Sequence, residues 1–185
     1  MEGHWIPVAS EGGHVDFAPR NALEIQLLEF LLGDHARVSV ERVVSGPGLF
    51  NLFRFFAKRG GKTPNPSVVS AIEDDESEAP AIISTAALER RCPACVAALD
   101  QFVVSYGATA GDLGLTTISS GGVYVGGGIA PKILSKLRDG AFMRAFTTKG
   151  RLSPVLERMP VHVILNPKVA LHGAAWFGEE QLARG

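Results

Sequence analysis

Three stretches of the chain place apolar residues at the spacing of an α-helix, with capping or breaking residues at their ends. The first begins at the cap Asn21, with Glu24 as its capping-box partner, and stops at Gly33. The second follows Ser45-Gly46-Pro47-Gly48, and the third begins at Pro93. The pattern predicts three core helices with these apolar positions: Leu23, Leu27, Phe30, Leu31; Leu49, Phe50, Leu52, Phe53, Phe56; Val96, Leu99, Phe102, Val103, Tyr106, Ala110.

Shorter apolar runs predict strands and further helices. Residues 4 to 9 are expected to form a short strand bounded by Pro7, Val123 to Val125 a second strand, and Pro160 to Leu165 a short buried one. Helices are expected at three more places: Ala81 to Glu89, a helix closing at Phe142 to Phe146, and a final helix after Asn166-Pro167.

Two polar stretches interrupt the apolar pattern. Gly60 to Pro66 is rich in Gly, Lys, Thr, Asn and Pro, and Glu73 to Glu78 is almost entirely acidic. Both are expected to be solvated surface loops. The acidic run has charges for a cation but lacks the glycine turn and the spacing of a calcium loop, so the surface-loop interpretation is favoured.

Composition narrows the class of protein. The 185 residues are 46% hydrophobic and 20% charged, with a formal net charge of -1, so we expect one domain with a real core. The sequence has no basic patch interleaved with aromatic residues, so nucleic acid is not expected as a partner. No stretch approaches the roughly 20 apolar residues of a membrane span, and the N-terminus does not resemble a signal peptide, so a cytoplasmic location is expected. Only three residues precede the first predicted strand, which suggests that the chain is part of a longer protein.

The two cysteines, Cys92 and Cys95, form a Cys-Pro-Ala-Cys sequence. A redox motif of this kind is expected after a strand in a thioredoxin-like context, and a zinc site needs two more ligands nearby. Neither condition is met in the sequence. We therefore expect ordinary buried or half-buried thiols in a helix, and no metal site.

The first candidate for chemistry is Ser10-Glu11-Gly12-Gly13-His14, near the N-terminus. A carboxylate and an imidazole separated by two glycines suit a polyhydroxylated ligand, because together they accept and donate hydrogen bonds. The same four residues could equally form a surface turn. Glu41 is a further candidate, since it is expected in a first helical turn beside a flexible Gly-Pro-Gly break.

The second candidate is the glycine turn Gly126-Gly127-Gly128. It follows a predicted strand and precedes a helix expected to start at Pro131, which is where nucleotides dock in open α/β sheets. Its spacing matches neither a Walker loop nor the dinucleotide fingerprint, so nucleotide contact and a tight packing turn both stay open. Asp112 to Thr116 also resembles a phosphate-binding turn, although a helical stretch precedes it.

Four segments together resemble the bacterial-type glucokinase family, in order and at fitting spacing over essentially the whole chain. They are Ser10 to Pro19, Glu41 to Leu49, Gly122 to Pro131, and Asn166 to Ala174. The resemblance implies an α/β fold of the actin-like ATPase (ribonuclease H-like) type, in which a sheet is flanked by helices. It also implies that residues 1–185 form a single, partial domain corresponding to the large C-terminal domain of such kinases.

The resemblance implies a role for six residues. Glu11, His14 and Glu41 match sugar-binding positions, and Gly126, Gly127 and Gly128 match the adenosine side of the nucleotide site. The carboxylates would then hold sugar hydroxyls rather than act as acid and base. Glucose and ATP with Mg²⁺ are the implied ligands, with no Mg²⁺ ligand identified in this chain.

The chain departs from the family pattern in one respect. It contains neither the Asp-x-Gly-Gly-Thr phosphate loop nor the catalytic aspartate that accepts the proton of the sugar 6-hydroxyl, so no catalytic residue is assigned. We expect a glucokinase-like chain that phosphorylates glucose to glucose 6-phosphate only with the missing N-terminal region and is inactive alone. The alternative is a non-catalytic sugar-binding or interaction module. The missing N-terminal domain or a second copy is the expected protein partner.

Overall fold

The computed structural model describes residues 6–61 and 63–183. Within them the helices are α1 Ala22–Leu32, α2 Gly46–Arg59, α3 Pro66–Asp74, α4 Ala79–Leu88, α5 Pro93–Thr117, α6 Leu134–Leu137, α7 Ala141–Thr147, α8 Ser153–Leu156 and α9 Val169–Leu182. The strands are β1 Val123–Val125 and β2 Val161–Val163. Part of the predicted strand at residues 4 to 9 lies outside the described residues, and residues 6 to 9 have no regular secondary structure.

The chain divides into two compact units, Met1–Phe102 and Val103–Gly185. Helix α5 contributes its residues up to Phe102 to the first unit and the remainder to the second. The three core helices predicted from apolar spacing are present as α1, α2 and α5. The assignment of the whole chain to one domain stays a prediction.

Helix α1 begins at the predicted cap. The Asn21 side chain accepts a hydrogen bond from the backbone N–H of Glu24, at 3.0 Å. The Glu24 carboxylate does not complete a capping box. It is fully buried and accepts from the backbone N–H of Arg20 at 2.8 Å and from the side-chain Nε2 of Gln101 at 2.9 Å. The capping-box prediction is therefore half right, because the carboxylate turns inward to the neighbouring Arg20 and to Gln101, which is distant in sequence.

Helix α2 is the aromatic core of the first unit. Its Phe53 and Phe56 are buried, as predicted for core positions, and Phe55 is buried beside them. The Ser45 side chain caps the helix by accepting from the backbone N–H of Gly48 at 2.9 Å, and Pro47 lies in the first turn as predicted.

The polar region between α2 and α4 is more ordered than expected. Helix α3 includes Glu73 and Asp74, and Glu76–Glu78 forms a 3₁₀ turn, so the prediction of a loop over the acidic run is wrong. An N-terminal cap and the burial of two side chains account for helix α3. The side chain of Asn65 caps α3 by accepting from the backbone N–H of Ser67 at 3.0 Å, and α3 buries Val68 and Ile72.

In the second unit, α5 and α7 pack backbone against backbone. A Cβ at Gly107 would lie 2.2 Å from the carbonyl oxygen of Phe142, and one at Gly111 would lie 2.4 Å from that of Phe146. Tyr106 and Phe142 flank this contact with rings in an edge-to-face arrangement, 5.6 Å apart. The glycines of α5 therefore permit close packing of α7 against it.

Strands β1 and β2 pair in parallel, with Val123 opposite Val161 and Val125 opposite Val163. β1 forms where a strand was predicted, and its Val123 and Val125 are buried. The prediction of a buried strand over Pro160 to Leu165 is wrong in its burial, because β2 is only half-buried and His162 is exposed. The His162 ring instead stacks on Tyr124 of β1, with centroids 5.0 Å apart. Among the described residues, no helix is both long enough and apolar enough to cross a membrane.

We predict that Gly107→Ala destabilises the chain by about 1–3 kcal/mol, because its Cβ would overlap backbone that cannot move without displacing α7. This cost should outweigh the gain of up to about 1 kcal/mol that alanine brings to a helix. Urea unfolding followed by circular dichroism measures the difference. Gly178→Ala in α9 is the matched control, since nothing lies within 4 Å of its added Cβ. Equal midpoints for the two variants would contradict the backbone contact.

We also predict that Glu24→Gln destabilises the chain by about 2–3 kcal/mol near neutral pH. Burial acts to raise the pKa of Glu24, but hydrogen bonds and charge from Arg20 and a hydrogen bond from Gln101 lower it below its ordinary value of 4.5. The ionised side chain therefore stabilises the fold above about pH 4.5, and this contribution is lost as pH falls through the lowered pKa.

The unfolding free energies of wild type and Glu24→Gln, measured across pH, test this dependence. The gap between the two should shrink below pH 4.5. Glu29→Gln, on an exposed position of α1, should change the free energy little at any pH. A gap independent of pH would show that the Glu24 charge contributes nothing.

Candidate functional site

The Glu11 to His14 segment forms a 3₁₀ turn on the surface of the first unit. The backbone N–H of His14 donates to the carbonyl of Glu11 at 2.9 Å, and the backbone N–H of Gly12 donates to the Ser10 hydroxyl at 3.2 Å. No atom lies within 4 Å of a Cβ built on Gly13. Bonds within residues 10–14 therefore close the turn, and the space beside Gly13 is open.

The structure brings the three predicted sugar-binding residues together. His14 Nε2 lies 3.8 Å from Glu11 Oε2, and His14 Nδ1 lies 3.7 Å from Glu41 Oε2. All three side chains are more than half exposed, at 58%, 89% and 54% for His14, Glu11 and Glu41. Both separations exceed a direct hydrogen bond, so the imidazole and the carboxylates are near one another without being locked together. Their role as sugar ligands stays a prediction.

Arg37 joins the turn to the segment that carries Glu41. Its Nη1 donates to the carbonyl of His14 at 2.8 Å and to Asp16 Oδ1 at 2.7 Å. Next to it, the backbone of Asp16 pairs with Ser39 in an antiparallel bridge, with Val40 N donating to Val15 O at 2.9 Å. We call this set of contacts the Arg37 clasp. The sequence contains no signal for it, because the partners of Arg37 are distant in the chain.

Glu41 lies in a 3₁₀ turn, Val40–Arg42, just before α2. The Ser45 hydroxyl donates to the Glu41 carbonyl at 2.6 Å, and Asn51 of α2 donates from Nδ2 to the Arg42 carbonyl at 3.0 Å. A Cβ on Gly48 would lie 2.5 Å from the Val43 carbonyl carbon. The glycine after Pro47 therefore lets the turn lie directly on the start of α2, which positions the Glu41 backbone.

The predicted nucleotide turn lies in the second unit, directly after β1. Gly126, Gly127 and Gly128 are exposed, and nothing lies within 4 Å of a Cβ on Gly127 or Gly128. Gly127 has a φ of +96°, in the region that glycine adopts readily and other residues avoid. The backbone of this turn is therefore accessible, and its role in binding adenosine stays a prediction.

The predicted start of the helix after the glycine turn is wrong. The helix after the glycine turn begins at Leu134 rather than Pro131, because Lys132 and Ile133 both bond to the carbonyl of Ile129 in a turn first. This helix has four residues and therefore little dipole to offer an anion. Asp112 to Thr116 is helical throughout, within α5, and forms no turn.

The implied ATP would bind with Mg²⁺, so the described residues are also candidate ligands of a metal ion. Within residues 6–61 and 63–183 no group of three or more His, Cys, Asp or Glu side chains is arranged to hold a metal ion. No described residue is therefore assigned to Mg²⁺.

A helix-rich α/β chain with a small parallel sheet fits the actin-like ATPase class, and the comparisons support this. A glucokinase from an Antarctic psychrotroph superposes with a TM-score of 0.77 at 35% identity, covering 91% of this chain and 49% of that one. A Balamuthia mandrillaris glucokinase, solved in complex with glucose, superposes with a TM-score of 0.70 at 20% identity, covering 90% of this chain and 46% of that one. The second likeness supports the fold alone.

The family is shown by the sequence comparisons. The family model described as Glucokinase matches residues 1–181, and the chain belongs to the glucokinase family. The glucokinase of Nostoc punctiforme is 46% identical over 177 residues, which cover 90% of this chain and 52% of that protein. The chain thus spans about half the length of the curated relatives it matches. The family and fold inferred from the four sequence segments are confirmed.

We predict that Arg37→Ala loosens the Glu11–His14 turn without unfolding the unit. Loss of two hydrogen bonds from an exposed side chain should increase the amide exchange rate of Val40 about fivefold. Hydrogen exchange followed by NMR measures this amide, which bonds to the carbonyl of Val15.

Arg54→Ala is the matched control for this experiment. Its guanidinium pairs with Asp34 at 2.9 Å, so its loss removes an ion pair of similar exposure elsewhere in the same unit. Equal exchange at Val40 in the two variants would contradict a role for the Arg37 clasp.

Proposed function

We propose that this chain supplies the sugar and adenosine contacts of an ATP-dependent phosphorylation of glucose to glucose 6-phosphate, and that it is inactive alone. The observation that carries the proposal is the position of His14 between the carboxylates of Glu11 and Glu41. Membership of the glucokinase family supports the sugar, and the share of the relatives that is matched supports dependence on another polypeptide segment.

The chemistry of the three side chains suits a sugar. Carboxylate oxygens of Glu11 and Glu41 accept hydrogen bonds from hydroxyls, and the imidazole of His14 donates or accepts according to its tautomer. A sugar epimer that leaves one of these groups unpaired would lose binding free energy, which provides selectivity. In this proposal the carboxylates hold the substrate, and the base that accepts the 6-hydroxyl proton lies outside this chain.

The glycine turn is proposed as the contact for the adenosine part of ATP. Gly126, Gly127 and Gly128 present exposed backbone without side chains, which lets a flat ligand approach closely. When bound with ATP, Mg²⁺ neutralises charge that develops on the phosphates. In this chain the proposal involves only the backbone of the turn.

Glucose binding tests the sugar site directly. We predict that isothermal titration detects glucose binding to the intact chain, and that Glu41→Gln weakens it about 10- to 100-fold, because a charged acceptor is lost while the side-chain size is kept. Glu29→Gln, on an exposed position of α1, should leave the affinity unchanged. A Glu41→Gln variant that binds glucose as tightly as wild type would contradict the proposed site.

Turnover separates the proposal from the alternative of a non-catalytic sugar-binding module. Glucose-dependent formation of ADP is measured with the chain alone and with a supplied N-terminal glucokinase domain. Turnover only in the mixture supports the proposal, and full turnover by the chain alone contradicts it. Binding of glucose with no turnover in either case supports the binding module, and no heat of binding in the intact chain contradicts both.

A further inference from the structure

The Cys92-Pro93-Ala94-Cys95 sequence lies at the start of α5, in the first unit. Both cysteines are free and fully buried, and they are the only two in the sequence. The carbonyl of Cys92 accepts from the backbone N–H of Val96 at 3.0 Å, which makes Cys92 the residue that caps the helix. Its Sγ accepts from the backbone N–H of Cys95 at 3.4 Å. Sulfur thus takes the place that a Ser or Asp oxygen usually has at this position.

A second segment also donates to the Cys92 sulfur. The backbone N–H of Asn65, just before α3, lies 3.5 Å from Cys92 Sγ, and the Asn65 side chain donates from Nδ2 to the carbonyl of Arg91 at 3.0 Å. Two backbone donors from different parts of the chain therefore point at one sulfur atom. This arrangement stabilises negative charge at Cys92.

The two thiols differ in their acidity. Burial acts to raise the pKa of Cys92, but hydrogen bonds from the backbone of Asn65 and from Cys95 lower it below its ordinary value. Burial raises the pKa of Cys95 strongly, and its contact with Cys92 raises it further, while the nearby charge of Arg91 acts in the opposite direction. Cys92 is thus the more acidic thiol, and its partner in hydrogen bonding is the less acidic one.

We propose that Cys92 and Cys95, which the sequence led us to expect as ordinary thiols, are a redox-active dithiol that forms a reversible intrachain disulfide, with the Cys92 sulfur as the first nucleophile and low-molecular-weight disulfides as the oxidant. The geometry supports this because the Cys92 and Cys95 side chains are hydrogen-bonded to each other, and the Cys92 sulfur also faces two backbone N–H groups. Neither cysteine belongs to the proposed sugar or adenosine site. The proposal therefore does not depend on the kinase assignment.

The reaction balances in two steps. The Cys92 thiolate attacks one sulfur of a disulfide such as oxidised glutathione, forming a mixed disulfide and releasing one glutathione thiolate. Cys95 then gives up its proton to solvent and attacks the Cys92 sulfur, which releases the second thiolate and forms the Cys92–Cys95 bond. The two thiols lose two electrons in total, and the glutathione disulfide gains them.

Access to the buried pair is through the segment that covers it. Arg91, next to Cys92 in the chain, is exposed, and Asn65, whose backbone N–H contacts the Cys92 sulfur, is half-buried. The two glycines that lead into this segment, Gly60 and Gly61, have φ values of +80° and +72°, and nothing lies within 4 Å of a Cβ on either. Local opening of the chain at Asn65 would break its bond to Cys92 and expose the thiolate while α5 stays folded.

The test uses the full chain, in which thiol loss can come only from these two residues. In glutathione buffers of rising oxidised fraction, we expect both thiols to disappear together, with a mass decrease equal to two hydrogen atoms and recovery on adding a dithiol reductant. Cys95→Ser should stop at a glutathione adduct on Cys92. Cys92→Ser should form its adduct at least about 10-fold more slowly.

A measurement on the wild-type chain tests the proposal without relying on variants that could fold poorly. The rate of iodoacetamide alkylation at each cysteine, mapped by peptide mass spectrometry across pH, should reach its midpoint at a lower pH for Cys92 than for Cys95. The proposal is overturned if the folded chain forms no intrachain disulfide where the urea-unfolded chain does, or forms only disulfides between chains. It is also overturned if the two cysteines are alkylated with the same pH profile.

Discussion

In each of the two units, the packing of neighbouring elements depends on a contact between two backbone segments. The contact is possible because a glycine has no Cβ. In the first unit Gly48 touches the backbone of Val43, and in the second Gly107 touches that of Phe142. At such points even a methyl group would overlap atoms that cannot rotate away. The neighbouring elements therefore have little freedom to shift. The turn that carries Glu41 and the packing of α7 on α5 are consequences of these contacts.

The candidate sugar site combines a rigid base with exposed polar groups. The Glu41 turn is held on α2 through Ser45 and Asn51, and the Glu11–His14 turn is held by the Arg37 clasp. The side chains of Glu11, His14 and Glu41 are exposed and separated by more than a hydrogen bond. Such a site has its geometry set by backbone contacts and its hydrogen-bonding groups facing solvent, which suits a hydrophilic ligand.

The proposed sugar site and the proposed adenosine contact belong to different units. The thiol pair is a third site, separate from both. The sugar-site residues and the Cys92–Cys95 pair lie within Met1–Phe102, whereas the glycine turn lies within Val103–Gly185.

Two polar groups buried in the first unit, the Glu24 carboxylate and the Cys92 thiol, both have hydrogen-bond partners. Glu24 is buried with Arg20 and Gln101 as partners, and Cys92 is buried with two backbone donors, so neither group is left without compensation.

The sequence by itself determined the main helices, because apolar spacing and caps such as Asn21 and Ser45 act within a few residues. It also determined the family, through four segments spread along the chain. Only the tertiary structure decided that Glu24 turns inward, that β2 is half exposed, and that Arg37 joins the two turns of the candidate site. Each of these features depends on a partner distant in sequence. The spacing of neighbouring residues does not indicate such a partner. The acidic segment shows the same limit, since the burial of Val68 and Ile72 against the rest of the unit outweighs the loop character of its charges.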